Sequence, residues 1–406
     1  MDFNDSPEEA AWRAECRGWL EANTPAVMGS DSGEDEGGMF EPGGADYLER
    51  ARRWQALKFD AGFARITWEP EFGGRNGTSM QQMIFGQEEG RFDVPSAVYV
   101  IGLGMIAPTL RACGTEEQKE RYLTKLLRGE EIWSQLFSEP GAGSDVASLS
   151  MTAVRDGDEW LLNGQKVWTS GAQYSDFGEI ICRTNPEAEK HKGITAFIVD
   201  MRAPGVTIKP LKQMNGGASF NEVFFDDVRV PADHVLGGVH EGWTVAITTL
   251  MNERVAIGSG GGGGGRGTVH DLIDLAKKRG VNTDPLIRQR LADVYTKSRI
   301  SKFSSMRTLT AALKGQVPGP EGSIGKLFGG QMMTQMGELA IDLVGVGAIA
   351  RGDEDYRWHA TLLGAPAAHI AGGSDEVMKN IIGERVLGLP GEPRVDKGVP
   401  WKSVLR

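Results

Sequence analysis

Cysteine is scarce: three residues in 406, at positions 16, 113 and 182, with no Cys-x-x-Cys spacing. That excludes a disulfide-built scaffold and a zinc knuckle, and predicts a reducing compartment. The six histidines show no metal-ligand spacing, so no metal site is expected. No apolar run reaches the ~18 residues of a membrane span. The longest candidate, Leu339 to Ala350, is broken by Asp342. Met1–Asp5 lacks the basic segment of a secretory leader. Positive charge is also short: 44 Lys and Arg against 55 Asp and Glu leave a net charge of −11. A chain without a basic face cannot displace phosphate counterions, which argues against a nucleic-acid partner. With 40% apolar and 24% charged residues, whole-chain disorder is excluded, and one large core or two to three smaller ones are within reach. The expectation is an acidic cytoplasmic protein. Glycine is what the chain has in excess, 56 residues, roughly twice the usual share.

The opening reads as helix. Ser6-Pro7-Glu8-Glu9 is a capping box with proline at the first helical position, and Trp12, Cys16, Trp19 and Leu20 follow on one face. A second box, Thr115-Glu116-Glu117-Gln118, starts a helix through Tyr122, Leu123, Leu126 and Leu127. Between them, Asp31 to Gly44 has loop composition. From Ser134 to about His240 the pattern changes to short β-branched or alternating runs: 160–162, 179–182, 194–199 and 222–225, separated by turn formers such as Asp156-Gly157-Asp158. Beyond Glu241, periodic helical segments return at 242–256, 286–313, 323–345 and 374–388. This predicts an α+β multidomain chain: a helical domain over 1–130, an antiparallel β domain over 131–240 and a helical domain over 241–406.

Two segments carry chemistry. Gln135-Leu136-Phe137-Ser138-Glu139-Pro140-Gly141-Ala142-Gly143-Ser144-Asp145 packs proline and small residues into a loop whose amides can approach a ligand closely, although an ordinary strand-to-loop turn has the same composition. In Gly164-Gln165-Lys166-Val167-Trp168-Thr169-Ser170-Gly171-Ala172 an indole beside two hydroxyls suits a flat heteroaromatic ligand, and equally a core tryptophan on a strand.

Together the two segments resemble the acyl-CoA dehydrogenase family, and the resemblance runs along nearly the whole chain. Gly73-Gly74-Arg75 with Glu88-Glu89 matches the family's first domain, Phe220 to Pro231 the end of its β domain, and Gly372-Gly373-Ser374-Asp375-Glu376-Val377 with Asn380 to Pro390 its C-terminal ending. The resemblance implies a helical domain, a β-barrel and a four-helix bundle, assembled as a homotetramer or dimer. It also implies an acyl-CoA substrate, FAD as cofactor, an electron-transfer flavoprotein or similar acceptor, and a place in fatty-acid β-oxidation. Carried over by position, Gln135, Phe137, Ser138, Trp168, Thr169 and Ser170 would hold the flavin ring and its ribityl side. Ser374 and Glu376 would reach it from the C-terminal domain, and Gly345 would approach an adenosine half. Ser144 would lie on the pantetheine path.

The family's reaction needs a carboxylate to remove the α proton and a donor for the charge on the thioester oxygen. In one branch the base precedes a Gly-Thr step in the C-terminal ending; here that position is Gly372, which cannot serve. The branch that resembles isovaleryl- and long-chain acyl-CoA dehydrogenases places it on the first helix of the bundle, before an arginine. Here that is Leu250-Met251-Asn252-Glu253-Arg254. Glu253 is thus the expected base, Arg254 its substrate-side neighbour, and the Gly372 N–H a donor to the thioester oxygen.

Three departures stand out. The family's arginine followed by Phe-Gly is missing from Lys277 to Pro285, and Asp342 and Val346 replace a glutamine and a glycine near the adenosine site. Either FAD is held differently or a partner chain supplies contacts. Gly260 to Gly265 follow the Glu253 helix directly, and missing side chains there would widen the acyl pocket for a bulky substrate. The rival readings are a flavin monooxygenase or acyl-CoA oxidase of the same fold, and a subunit with an incomplete flavin site in a mixed tetramer with a related chain.

Overall fold

The structure is a computed structural model describing residues 5–28, 46–258, 267–313, 319–349, 356–394 and 396–404. Asp31 to Gly44 and Gly260 to Gly265 lie outside the described residues. Packing divides the chain into two units, 1–256 with 393–406 and 257–392.

The first unit opens with helices α1 (Pro7–Asn23), α2 (Tyr47–Asp60), α3 (Ser79–Glu89), α4 (Ala107–Cys113) and α5 (Glu116–Arg128). Both expected capping boxes form: Ser6 and Thr115 each accept the third amide of the following helix, and Glu9 and Gln118 reach back to the cap amide. The face expected on α1 is the one that is used. Cys16 and Leu20 are buried with Trp54, Phe63 and Phe85, and Trp12 and Trp19 pack onto them. Burial pushes the Cys16 thiol up to about 11, which makes it a packing group and not a nucleophile.

The sheet comprises β1 (Trp133–Leu136), β2 (Thr152–Asp156), β3 (Glu159–Ser170), β4 (Phe177–Arg183), β5 (Ile194–Asp200), β6 (Val206–Leu211), β7 (Phe220–Pro231) and β8 (Val235–Leu236). Its order is β6-β7-β3-β2-β4-β5-β8, with β1 added on β4. Among the described residues β6 and β8 end the sheet without pairing to each other, so it is open rather than the closed barrel the resemblance implied. Pro210 in β6 has no N–H for a further ladder, and β8 is only two residues long. The pairing is largely antiparallel, as expected, but β1 and β2 each meet β4 in parallel. Alternation gives the sheet two apolar faces. Ile181 and Ile198 face the helices with Leu123, Leu126 and Leu127, while Ile180, Cys182, Phe197 and Val199 face a second core with Val223 and Phe225.

Helix α6 (Gly242–Gly258) closes this unit, with Val245 and Ala246 buried against the first of those faces. It starts where it does because Gly242 lies directly on strand backbone: a Cβ there would collide with Thr195 and Ala196. The second unit contains α7 (Val269–Lys278), α8 (Pro285–Leu313), α9 (Gly322–Val344), α10 (Tyr356–Ile370) and α11 (Asp375–Ile381). Helix α9 is central, and the other four all pack on it. Leu272, Leu275, Val294, Leu339, Leu343 and Trp358 form the core. Helices α7 and α10 are not in the periodicity reading: α7 is only ten residues long, and α10 carries Pro366 within it. The expected helix over 374–388 stops at Ile381 and continues as one π-helical turn, Ile382–Val386.

We expect Gly242→Ala to lower stability by about 1–3 kcal/mol through overpacking against the strand backbone. Urea unfolding followed by circular dichroism measures this, and an unchanged midpoint would show that the helix start can shift freely.

Candidate functional site

The two motif segments are brought together by a buried ion pair. The Lys166 Nζ donates to Glu139 Oε1 at 2.9 Å and to the Phe137 carbonyl at 3.1 Å, with no exposed surface on the lysine. Glu139 also accepts from the Ser150 amide at 2.7 Å, the Ser150 hydroxyl at 2.9 Å and the Met151 amide at 3.0 Å. Burial alone would raise this carboxyl, but Lys166 and the two amides outweigh it and hold it below the usual value. Val167 N donates to the Ser138 carbonyl at 2.9 Å, so the ends of β1 and β3 run side by side. Gln135, Phe137, Ser138, Trp168, Thr169 and Ser170 therefore share one end of the sheet.

The β3–β7 register breaks between Lys166 and Thr169, and Trp168 sits in that break with φ of 60°. A left-handed tryptophan is strained, and strain of this kind is retained where the surroundings force it, often at ligand sites. The residue is 61% exposed and makes an edge contact to Phe220 at 6.1 Å between centroids. Next to it Thr169 is buried, and among the described residues its Oγ1 has no hydrogen-bond partner. An exposed indole beside an unsatisfied buried hydroxyl fits a planar polar ring.

Ser144 is exposed on the glycine-rich loop. The neighbouring Asp145 binds Lys190 at 2.9 Å, and Lys190 also holds Asp396 of the C-terminal tail at 2.5 Å. On α6, Glu253 is half-buried, and Thr249 lies one turn ahead on the same face. The Arg254 side chain lies outside the described part of the structure.

The remaining predicted residues are in the second unit. Gly345 has φ of 69° at the end of α9, and Gly372 has the same φ in the turn before α11. Ser374 caps α11 by accepting the Val377 amide at 3.4 Å, and Glu376 in the first turn is exposed. Asp342, awkward near a pyrophosphate, is ion-paired with Arg290 at 2.8 Å.

One residue that sequence reasoning passed over adjoins this site. Glu179 on β4 is fully buried and lies in register with Gln135 of β1. Its Oε1 is 2.7 Å from Thr249 Oγ1, and among the described residues its Oε2 has no partner. Burial pushes its carboxyl up to about 8. The signal was visible as a lone acid inside Phe177-Gly178-Glu179-Ile180-Ile181-Cys182, a run otherwise apolar enough for a core strand.

Comparison with known proteins agrees with this geometry. Three family models match in chain order: acyl-CoA dehydrogenase N-terminal domain over 6–130, middle domain over 134–228 and C-terminal domain over 240–387. The chain belongs to the acyl-CoA dehydrogenase family. It is an oxidoreductase, and its reaction is flavin-dependent dehydrogenation of an acyl-CoA thioester. Acyl-CoA dehydrogenase IpdE1 of Mycobacterium tuberculosis is 38% identical over 94% of this chain and 98% of its own length. Acyl-CoA dehydrogenase FadE34 of the same organism is 39% identical over 84% of this chain but 47% of its own length. Among solved structures, the Tcur3481-Tcur3483 steroid ACAD superposes with a TM-score of 0.82 at 28% identity, covering 97% of this chain and 100% of that one. The ChsE4-ChsE5 complex from Mycobacterium tuberculosis gives 0.77 at 29%, with the same coverage.

Two stability effects follow from the site. Lys166→Met leaves Glu139 buried without its cation and is expected to cost about 3–5 kcal/mol, measured by urea unfolding; a loss below that of an ordinary surface substitution would show the pair to be dispensable. Because Glu179 keeps its proton in the fold, the stability it contributes is fully present below its ordinary value of 4.5 and is lost as pH rises through about 8. Melting temperature should therefore fall between pH 5 and pH 8.5 by at least about 3 °C more in the native chain than in Glu179→Gln. Parallel curves would mean that the carboxyl is ionised throughout.

Proposed function

We propose that Glu253 is the base that takes the α proton of the acyl-CoA, and that FAD is the flavin held at the Trp168 end of the sheet. The observation that carries the FAD assignment is the pairing of an exposed, left-handed Trp168 with the unsatisfied Thr169 hydroxyl. Trp168 offers a stacking face, Thr169 a donor for a ring heteroatom, and Ser138 and Gln135 polar groups from the neighbouring strand. FAD, when bound, supplies the acceptor for the hydride that leaves the β carbon. The chain's own part is to hold the thioester along the Ser144 loop, exclude water and receive the proton on the Glu253 carboxylate. Half-burial on α6 suits that role, because an acyl chain that completes the desolvation of the carboxylate raises its affinity for the proton. Gly345, Gly372, Ser374 and Glu376 are assigned to flavin and thioester by family resemblance alone. A ring-bearing acyl group is the preferred substrate class, supported by the steroid ACAD among the structural neighbours and by the 28%-identical cyclohexane-1-carbonyl-CoA dehydrogenase of Geobacter metallireducens.

A second reading has its own support: two structural neighbours carry paired names, the ChsE4-ChsE5 complex and the Tcur3481-Tcur3483 steroid ACAD. In that reading the chain needs a related partner to complete its flavin site. Purifying the chain alone and measuring FAD per chain separates the two, since full occupancy with turnover removes the need for a partner.

Glu253→Gln is expected to retain FAD and thioester binding while slowing anaerobic flavin bleaching by acyl-CoA at least about a hundredfold, the scale of a lost positioned base. A near-native bleaching rate would assign the base elsewhere. Failure of the native protein to bleach without a second reductant would instead favour the monooxygenase reading.

A further inference from the structure

We propose that Glu179 is a positioning residue: through Thr249 it fixes the turn of α6 ahead of Glu253 against the strands β1 and β4 that carry the flavin-binding end of the sheet. This rests on Glu253 being the base. The geometry is specific. Glu179 lies beside Gln135 in the parallel β1–β4 register and opposite Ile198 of β5. Thr249 Oγ1 stands 2.7 Å from Glu179 Oε1, 2.9 Å from Thr109 Oγ1 of α4 and 3.2 Å from the Val245 carbonyl. Three elements thus converge on one hydroxyl, a single turn from the base.

Among the described residues no cation pairs with Glu179. The groups facing it from the packed elements are Thr249 on α6, Thr109 and the Cys113 thiol on α4, Gln135 on β1 and Ile198 on β5. An unpaired carboxyl in such a place lowers stability relative to an apolar side chain of similar size. Hydrogen counting says which form it takes. A neutral carboxyl donates to Thr249 Oγ1, which leaves the threonine's own proton for Val245 and Thr109's to be shared between Thr249 Oγ1 and the Met105 carbonyl, each at 2.9 Å. A carboxylate must draw the Thr249 proton away from Val245, and still leaves Oε2 charged with no donor. Ionisation therefore rearranges the hydrogen bonds at the turn preceding Glu253, and base placement becomes sensitive to alkaline pH.

The test uses flavin-loaded protein and 3,3-dimethylbutanoyl-CoA, which has α protons but no β hydrogen, so that solvent deuterium uptake at the α carbon reports proton abstraction without hydride transfer. Thr249→Val removes only the hydroxyl; Glu179→Leu keeps volume; Glu179→Gln keeps a donor that does not titrate. We expect Thr249→Val and Glu179→Leu to retain FAD per chain and thioester affinity within about twofold while exchange slows about thirtyfold, the scale of a slightly misplaced group. Glu179→Gln should exchange at the native rate at pH 7 and lack the decline expected of the native protein above pH 8. Native exchange rates in Thr249→Val, or a Glu179→Gln variant no better than Glu179→Leu, would overturn the proposal; should Glu179→Leu fail to fold, the other two variants decide. Glu253→Gln is the separate control: if it still exchanges at the native rate, the base assignment fails, and the positioning role falls with it for that distinct reason.

Discussion

The site depends on one buried ion pair, Lys166 with Glu139. Neither partner could be kept there alone: a buried ammonium or carboxylate without its counterion costs several kcal/mol even after relaxation. Together they join segments that are otherwise linked only by strand pairing, because the same Nζ holds the Phe137 carbonyl and the same carboxylate gathers the amides of Ser150 and Met151. The pair fixes the end of β1, the glycine-rich loop and the start of the β3 irregularity as one body. The loop is thereby relieved of defining its own conformation and can be built from small residues that leave room for a ligand. Immediately beyond Lys166 the β3–β7 register breaks, and Trp168 takes its left-handed backbone. A bulge of this kind re-aims side chains, and anchoring the preceding residue deep in the core lets the next two be presented outward.

Much of this was legible in the sequence where local chemistry decides. Capping boxes at Ser6 and Thr115 became helix starts because their hydrogen bonds lie within four residues. The β-branched runs became strands because burial on both faces selects them. Proximity of the Gln135–Asp145 and Gly164–Ala172 segments was expected from resemblance, and the geometry supplies its physical cause in a side chain, Lys166, that reads as an ordinary surface lysine in isolation. What remained hidden was non-local. Pro210 marks residues 206–211 as an edge strand, but nothing there announces that the sheet stays open beyond it. The ten-residue α7 and the Pro366-bearing α10 escape a periodicity reading because they are held by packing on α9. Trp168's φ is imposed by its neighbours. Glu179 was readable as an oddity, but its meaning required the Thr249 and Thr109 hydroxyls, which come from helices far away in sequence.

The two buried glutamates of this sheet show how environment assigns protonation, and they bear on the third. Glu139 and Glu179 both lose solvent, which favours the neutral acid in each. Glu139 is returned to the charged form by a cation and three donors. Glu179, with a hydroxyl and no cation, is left protonated near neutrality. The difference lies in the cation and the donors at Glu139 and in the deeper burial of Glu179. A catalytic carboxylate needs neither extreme: it must be ionised before substrate arrives and must gain proton affinity as the substrate seals it off. Glu253 is half-buried on the helix whose Thr249 engages Glu179, and in its proposed role the substrate completes the desolvation. A carboxylate held by a cation as Glu139 is would be too weak a base, and one buried as Glu179 is would be protonated before a thioester binds. Glu139 and Glu179 thus mark the two limits between which a base in the proposed role must lie: charge fixed by a cation at one, a proton kept by burial at the other.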